Sequence, residues 1–135
     1  MITDIEIFLR LILAAFAGSL IGFERKTVHK PAGIRTHMLV ALGSALFAIV
    51  SIESFANTDP SRIAAGIVTG IGFLGAGTIF RSKNTVKGLT TAASLWAVAG
   101  IGLTAALGEY LLMAVSTILI ILILKLKKIK SLREN

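Results

Sequence analysis

Five hydrophobic runs, nearly free of charge, follow one another along the chain, and short polar clusters separate them. They cover residues 5–23, 34–52, 63–80, 89–107 and 110–124. Crossing a hydrocarbon core takes roughly 20 apolar residues in helix, with a range of about 17–25. The first four runs therefore predict transmembrane helices. The fifth has 15 residues and is separated from the fourth only by Gly108-Glu109. It spans if its lysines snorkel or the bilayer thins locally; a re-entrant or interfacial segment is the alternative.

Loop charge tests the count. Arg25, Lys26, Lys30 and Arg35 lie between the first two runs, and Arg81, Lys83 and Lys87 between the third and fourth. Lys125, Lys127, Lys128, Lys130 and Arg133 follow the fifth, so five spans put 12 of the 14 basic residues on one side. The other side receives Asp4, Glu6, Glu53, Asp59, Arg62 and Glu109. Positive-inside bias then sets the N-terminus outside and the C-terminus in the cytoplasm. Four spans would leave the basic tail on the wrong side. The expected fold is an all-α integral membrane protein, a single transmembrane domain over 1–135 with a basic cytoplasmic tail at 125–135. Its acidic start, Met1-Ile2-Thr3-Asp4, does not resemble a secretory signal, so the first helix is expected to be retained.

Composition agrees. Glycine plus the hydrophobic residues make up about 65% of the chain, where soluble domains sit near 45–50%. The mean hydropathy is +0.85. A net charge of +7 raises nucleic acid as a partner, but the basic residues sit in loops between apolar runs, so the expected partner is the lipid bilayer. The chain has no cysteine, which removes disulfides, thiolate metal sites and cysteine nucleophiles together. No cofactor and no metal site are expected.

Gly70-Ile71-Gly72-Phe73-Leu74-Gly75 matches the dinucleotide fingerprint, yet it has no strand before it and no acid about 20 positions later. The glycines read instead as helix-packing positions: Gly18/Gly22 and Gly66/Gly70 are G-x-x-x-G pairs, with Gly72, Gly75 and Gly77 beside them. Intramolecular packing and homodimer formation both remain open. Arg10 lies inside the outer end of the first span, where a charge is costly, so it should snorkel outward or face protein with a partner. Glu6, four residues earlier, suits an outer-side ion pair.

The candidate site gathers toward the cytoplasmic side. Arg35 and His37 fall at the start of a helix, where the dipole disfavours cations, and Glu24 is the expected partner of Arg35. An anionic headgroup or ligand is the alternative. Pro31 suits a first helical turn. Thr90, Thr91 and Ser94 place hydroxyls on the fourth helix; Trp96 falls mid-span, where its indole N–H calls for an internal acceptor. Glu24, Arg25, Arg35, Thr36, His37, Thr90, Thr91 and Trp96 form the expected site, with no catalytic set among them.

Five ordered blocks carry a resemblance: Gly22-Phe23-Glu24-Arg25, Pro31-Ala32-Gly33-Ile34-Arg35-Thr36-His37, Arg62-Ile63-Ala64-Ala65, Gly70 to Gly77, and Gly88 to Trp96. The chain resembles the MgtC/SapB family of bacterial inner-membrane proteins. The resemblance implies five helices in the cytoplasmic membrane, a link to magnesium limitation, and in pathogens to survival inside host cells. It also implies a modulator that binds the membrane part of the ATP synthase, homo-oligomer formation being a further expectation. Many members carry an additional ACT-like domain, which is not expected within these 135 residues. Many also have glutamine where Gly66 stands, and some asparagine where Thr90 stands.

Three functions compete: a non-enzymatic modulator of other membrane proteins, a carrier or channel for magnesium or an anion such as phosphate, and a membrane enzyme. No acidic residue lies mid-span, and magnesium sheds its water reluctantly, so a dehydrated magnesium path through one protomer is hard to build. An enzyme would need a nucleophile–base pair or metal cluster, and the two histidines, His29 and His37, fall in one loop region. The expectation is a modulator, not an enzyme.

Overall fold

A computed structural model describes residues 2–55 and 59–126. Five helices form among them: α1 Asp4–Thr27, α2 Ile34–Ser54, α3 Ser61–Ala76, α4 Leu89–Ala106 and α5 Tyr110–Lys125. Three of these, α1, α2 and α4, are long and apolar enough to cross a membrane. The two others have 16 residues each, a rise of roughly 24 Å.

Local chemistry explains the ends of α1. Thr3 caps it by accepting from the Glu6 amide at 3.3 Å, and Glu6 stands at the capping-box position. Asp4 and Glu6 occupy the first turn while Arg25 and Lys26 occupy the last, complementing the helix dipole. The helix outruns its expected end at residue 23 because these terminal cations are favourable there. Pro31 does not sit in the first turn of α2. It lies three residues upstream, in the bend that Gly33 ends as N-cap.

The third segment departs most from expectation. Instead of one helix over 63–80, α3 stops at Ala76, where the Gly77 amide bonds the Phe73 carbonyl at 3.1 Å and Thr78 Oγ1 donates to the Gly75 carbonyl at 2.8 Å. The chain then makes a hairpin of β1 Phe80–Ser82 and β2 Thr85–Lys87, paired antiparallel with Arg81 opposite Val86. The all-α expectation is corrected to this extent: the described residues are mostly helical with a two-stranded hairpin. Gly88 returns the hairpin to α4 at φ +93°, and an added Cβ would run into the Thr78 carbonyl.

Successive helices reverse direction. The Ile2 amide at the start of α1 bonds Glu53 near the end of α2, and Arg10 reaches the Ala106 carbonyl at the end of α4. At the other end, Arg25 reaches the Leu124 carbonyl of α5. The core is built on α1, α2 and α4. Alanines line it (Ala14, Ala17, Ala41, Ala45, Ala48 and Ala105), with Ile21, Val98 and Ile101 filling between them. Small side chains let the three backbones approach closely. By contrast, α3 buries only Ile71 and Gly75.

Candidate functional site

The end of α1 and the start of α2 are pressed together. A Cβ at Gly18 would lie 2.6 Å from the His37 carbonyl oxygen, and one at Gly22 would lie 2.6 Å from Ile34 Cα. This close crossing brings Glu24, Arg25 and His37 to one end of the bundle, against α4 and α5.

Glu24 and Arg25 are 5% and 3% exposed and form an ion pair with each other. The expected Glu24–Arg35 pair is thus not the one that forms. Arg25 Nε and Nη2 both donate to Glu24 Oε2, and Nη2 also donates to the Leu124 carbonyl at 3.3 Å. That contact places a cation at the C-terminal end of α5, where exposed carbonyls favour one. Glu24 Oε1 is buried without a hydrogen-bond partner. Arg35 is exposed on the first turn of α2, whose start has no side-chain cap.

His37 is fully buried. Its Nδ1 lies 2.9 Å from the Gly33 carbonyl, which can only accept, so Nδ1 carries a proton. Nε2 lies 3.0 Å from Ser94 Oγ, and Ser94 Oγ lies 2.8 Å from the Thr91 carbonyl. Ser94 has one proton to give. With neutral imidazole it donates to Nε2; with imidazolium it accepts from Nε2 and donates to Thr91 instead. The group therefore has two hydrogen-bonded arrangements that differ by one proton, and Ser94, which carries the choice, stood outside the expected site.

The remaining expected residues divide. Thr91 is buried beside Ser94, while Thr36, Thr90 and Trp96 are exposed. Trp96 is 56% exposed and has no hydrogen-bond partner among the described residues, which corrects the expected internal acceptor. An indole on an outward helix face keeps its apolar body toward lipid or a partner. One buried cluster (Glu24, Arg25, His37, Thr91 with Ser94) and one outward set (Arg35, Thr36, Thr90, Trp96) thus replace a single site.

The glycines divide too. Gly75 lies in ordinary contact with Ala92, 3.6 Å from where its Cβ would be, and Gly77 meets only carbonyls of its own helix end. Gly66, Gly70 and Gly72 meet nothing within 4 Å. Among the described residues these three therefore face open space. Gly102 makes the tightest contact between α2 and α4 and carried no motif; an added Cβ would run into the Ala41 carbonyl and sit 2.7 Å from Ser44 Cβ.

At the opposite end, Arg10 is nearly buried and pairs with Glu6. Its guanidinium also donates to the Ala106 carbonyl and packs on Gly108, which stands at φ +75°. Arg10 thereby ties α1 to the α4–α5 corner. Among the described residues no three His, Asp or Glu side chains gather as a metal site.

Phe8, Phe16 and Phe23 on α1 and Leu111, Ile118 and Leu122 on α5 point outward over the whole length of the bundle. A surface of this kind is matched to hydrocarbon, and with three long apolar helices it defines a helical membrane protein. The chain belongs to the MgtC family, whose family model matches residues 11–131. It is 47% identical over 128 residues to a protein of Escherichia coli K12 named putative magnesium transporter YhiD, covering 89% of this chain and 60% of that one. It is 49% identical over 113 residues to protein MgtC of Salmonella typhimurium, covering 84% and 48%. Protein MgtC of Brucella abortus is 48% identical over 108 residues, covering 80% and 45%. The chain thus spans between 45% and 60% of the length of these relatives. No solved structure matches it.

Proposed function

We propose that the chain crosses the bacterial inner membrane five times, with its N-terminus outside, and acts as a non-enzymatic modulator of another membrane protein. The membrane sector of the ATP synthase is the partner that the family resemblance brings forward. Support for the topology comes from the alternating helix directions. Arg25, Lys26, Lys30, Arg35, Arg81, Lys83 and Lys87 fall in the segments at one end of the bundle, the side the positive-inside rule assigns to the cytoplasm. Reporter fusions after Lys30, Asp59, Asn84 and Gly108 should alternate inside, outside, inside, outside. Two consecutive fusions on the same side would remove a span from the count.

One observation carries the modulator reading. Along α4, Leu89, Ala93, Trp96 and Gly100 recur at helical spacing, the first three exposed and Gly100 with nothing within 4 Å of an added Cβ. The opposite stripe (Thr91, Leu95, Val98, Gly102 and Ala105) is buried. A helix that turns a tryptophan and an open glycine outward offers a close-packing face to a second membrane helix. Trp96→Ala and Gly100→Leu should leave protein level and melting temperature unchanged while abolishing growth at low magnesium and co-purification of the ATP synthase membrane subunit. Full growth and undiminished co-purification for both variants would overturn this reading.

The name of the Escherichia coli relative favours a second reading, magnesium transport. Proteoliposomes of purified protein separate the two: a modulator gives no magnesium flux above empty vesicles, and a transporter does.

A further inference from the structure

Between α2 and α3 runs a groove of about 1070 Å³, with Leu39, Val40, Ile67 and Leu74 among its walls. Glycine makes it deep. At Gly43, Gly66 and Gly70, all in its lining, an added Cβ would meet nothing within 4 Å. Charge occurs only at its two ends: Arg35 on the first turn of α2 and Arg62 on the first turn of α3. Ser51 Oγ, near the end of α2, donates to the Pro60 carbonyl ahead of α3 at 3.4 Å, so the two helices run antiparallel and the two arginines stand at opposite ends.

At the Arg35 end the groove opens into a second hollow of about 680 Å³. Lys26, His29 and Lys30 line it, and it shares Arg35 and Thr36 with the groove. A polar basic mouth continuous with an apolar channel is the shape of an amphiphile. Among the described residues these charges have no carboxylate partner. Glu24, the one acid of this loop region, is committed to Arg25, and the described ion pairs are Glu24–Arg25 and Glu6–Arg10. Lys26, Lys30 and Arg35 therefore face the groove's mouth without a carboxylate among the described residues.

We propose that this groove binds an anionic phospholipid, its phosphate held by Arg35 with Lys26 and Lys30 and an acyl chain lying along the glycine face of α3 toward Arg62. The proposal rests on the reading of α2 and α3 as membrane spans. Basic pockets between helices on the cytoplasmic side recognise anionic headgroups. A zwitterionic headgroup would bring its own cation to a mouth that already holds three. Among the described residues a second copy of this chain offers this mouth no free acid: Asp4, Glu6, Glu53, Asp59 and Glu109 lie in the segments of the opposite end, and Glu24 is engaged. An acyl chain in the apolar part of the groove makes dispersion contacts with its walls.

The test uses the purified full chain in mild detergent, with native mass spectrometry and thermal melting as readouts. Phosphatidylglycerol should stay bound and raise the melting temperature, and phosphatidylcholine should do neither. Arg35→Gln should weaken phosphatidylglycerol retention by about fivefold, the share of one cation near a membrane surface. Gly70→Leu puts a side chain into the groove from a position where an added Cβ meets nothing within 4 Å; it should remove retention while leaving the lipid-free melting temperature unchanged. Inorganic phosphate alone should not reproduce the stabilisation. Equal retention of both lipids, full retention in Gly70→Leu, or equal protection by inorganic phosphate would each overturn the proposal. So would a dimer that Gly70→Leu converts to monomer without altering lipid content, because the face would then belong to a second copy. Release of the protein from membranes by detergent but not by high salt checks the span reading separately, so that a lost lipid preference and a lost membrane assignment give different results.

Discussion

Gly102→Leu should prevent the bundle from assembling. The added Cβ would collide with the Ala41 carbonyl and approach Ser44 Cβ and the Ala45 amide nitrogen, at 2.7 and 3.0 Å. None of these can turn aside, because two are backbone atoms and the third is the first carbon of its side chain. The helices α2 and α4 must therefore separate. Separation breaks the 2.6 Å bond from Ser44 Oγ to the Ala99 carbonyl and pulls Ser94 from His37. Overpacking costs about 1–3 kcal/mol where neighbours can shift, so the upper end or beyond is expected here. At Gly100, two residues away on the same helix, an added Cβ meets nothing within 4 Å. Membrane-fraction protein level and detergent melting should fall sharply for Gly102→Leu and stay at wild type for Gly100→Leu. Equal behaviour of the two would mean that α2 and α4 do not cross at Gly102.

This contrast also marks what could be read from the sequence. Helix existence was legible because the hydrophobic runs are long and the loops are charged, and the observed helices begin within two residues of the expected runs. The hairpin was not. Its two-residue connection, Lys83-Asn84, lacks the Asn-Gly or Asp-Gly signal of a tight turn, and Ile79-Phe80 continues the apolar run before it. The Glu6–Arg10 spacing is where an ion pair forms, because i and i+4 always share a helix face. Glu24, by contrast, had Arg25 and Arg35 both within reach along the chain, and only the three-dimensional path of the loop separates them. Glycine motifs were informative only in part, for a related reason. G-x-x-x-G says that two backbones can approach, not which helix takes up the offer. Gly18/Gly22 meet α2, Gly66/Gly70 meet open space, and the tightest approach of one helix to another, at Gly102, stands in a plain Gly-Ile-Gly.

Removing either member of the Glu24–Arg25 pair should be as damaging as any single change in the protein, whereas removing Arg35 should be mild. Both members of the pair are buried, and one buried carboxylate oxygen already lacks a partner. Arg25→Ala would leave the whole carboxylate without a counter-charge and release the Leu124 carbonyl that ties α5 to α1. Glu24→Ala would leave a guanidinium in the same surroundings. Breaking a buried pair by deleting one partner costs about 3–5 kcal/mol, while replacing both by apolar groups of similar volume is often neutral. The double variant Glu24→Leu/Arg25→Met should therefore recover most of the protein level that each single variant loses, short of the contact to Leu124. Arg35→Ala exposes no buried charge and should fold like wild type. Protein level in membranes and melting in detergent for the four variants decide the matter. If Arg35→Ala falls as far as Glu24→Ala, the carboxylate depends on Arg35. If the double variant falls further than either single one, the two charges act separately.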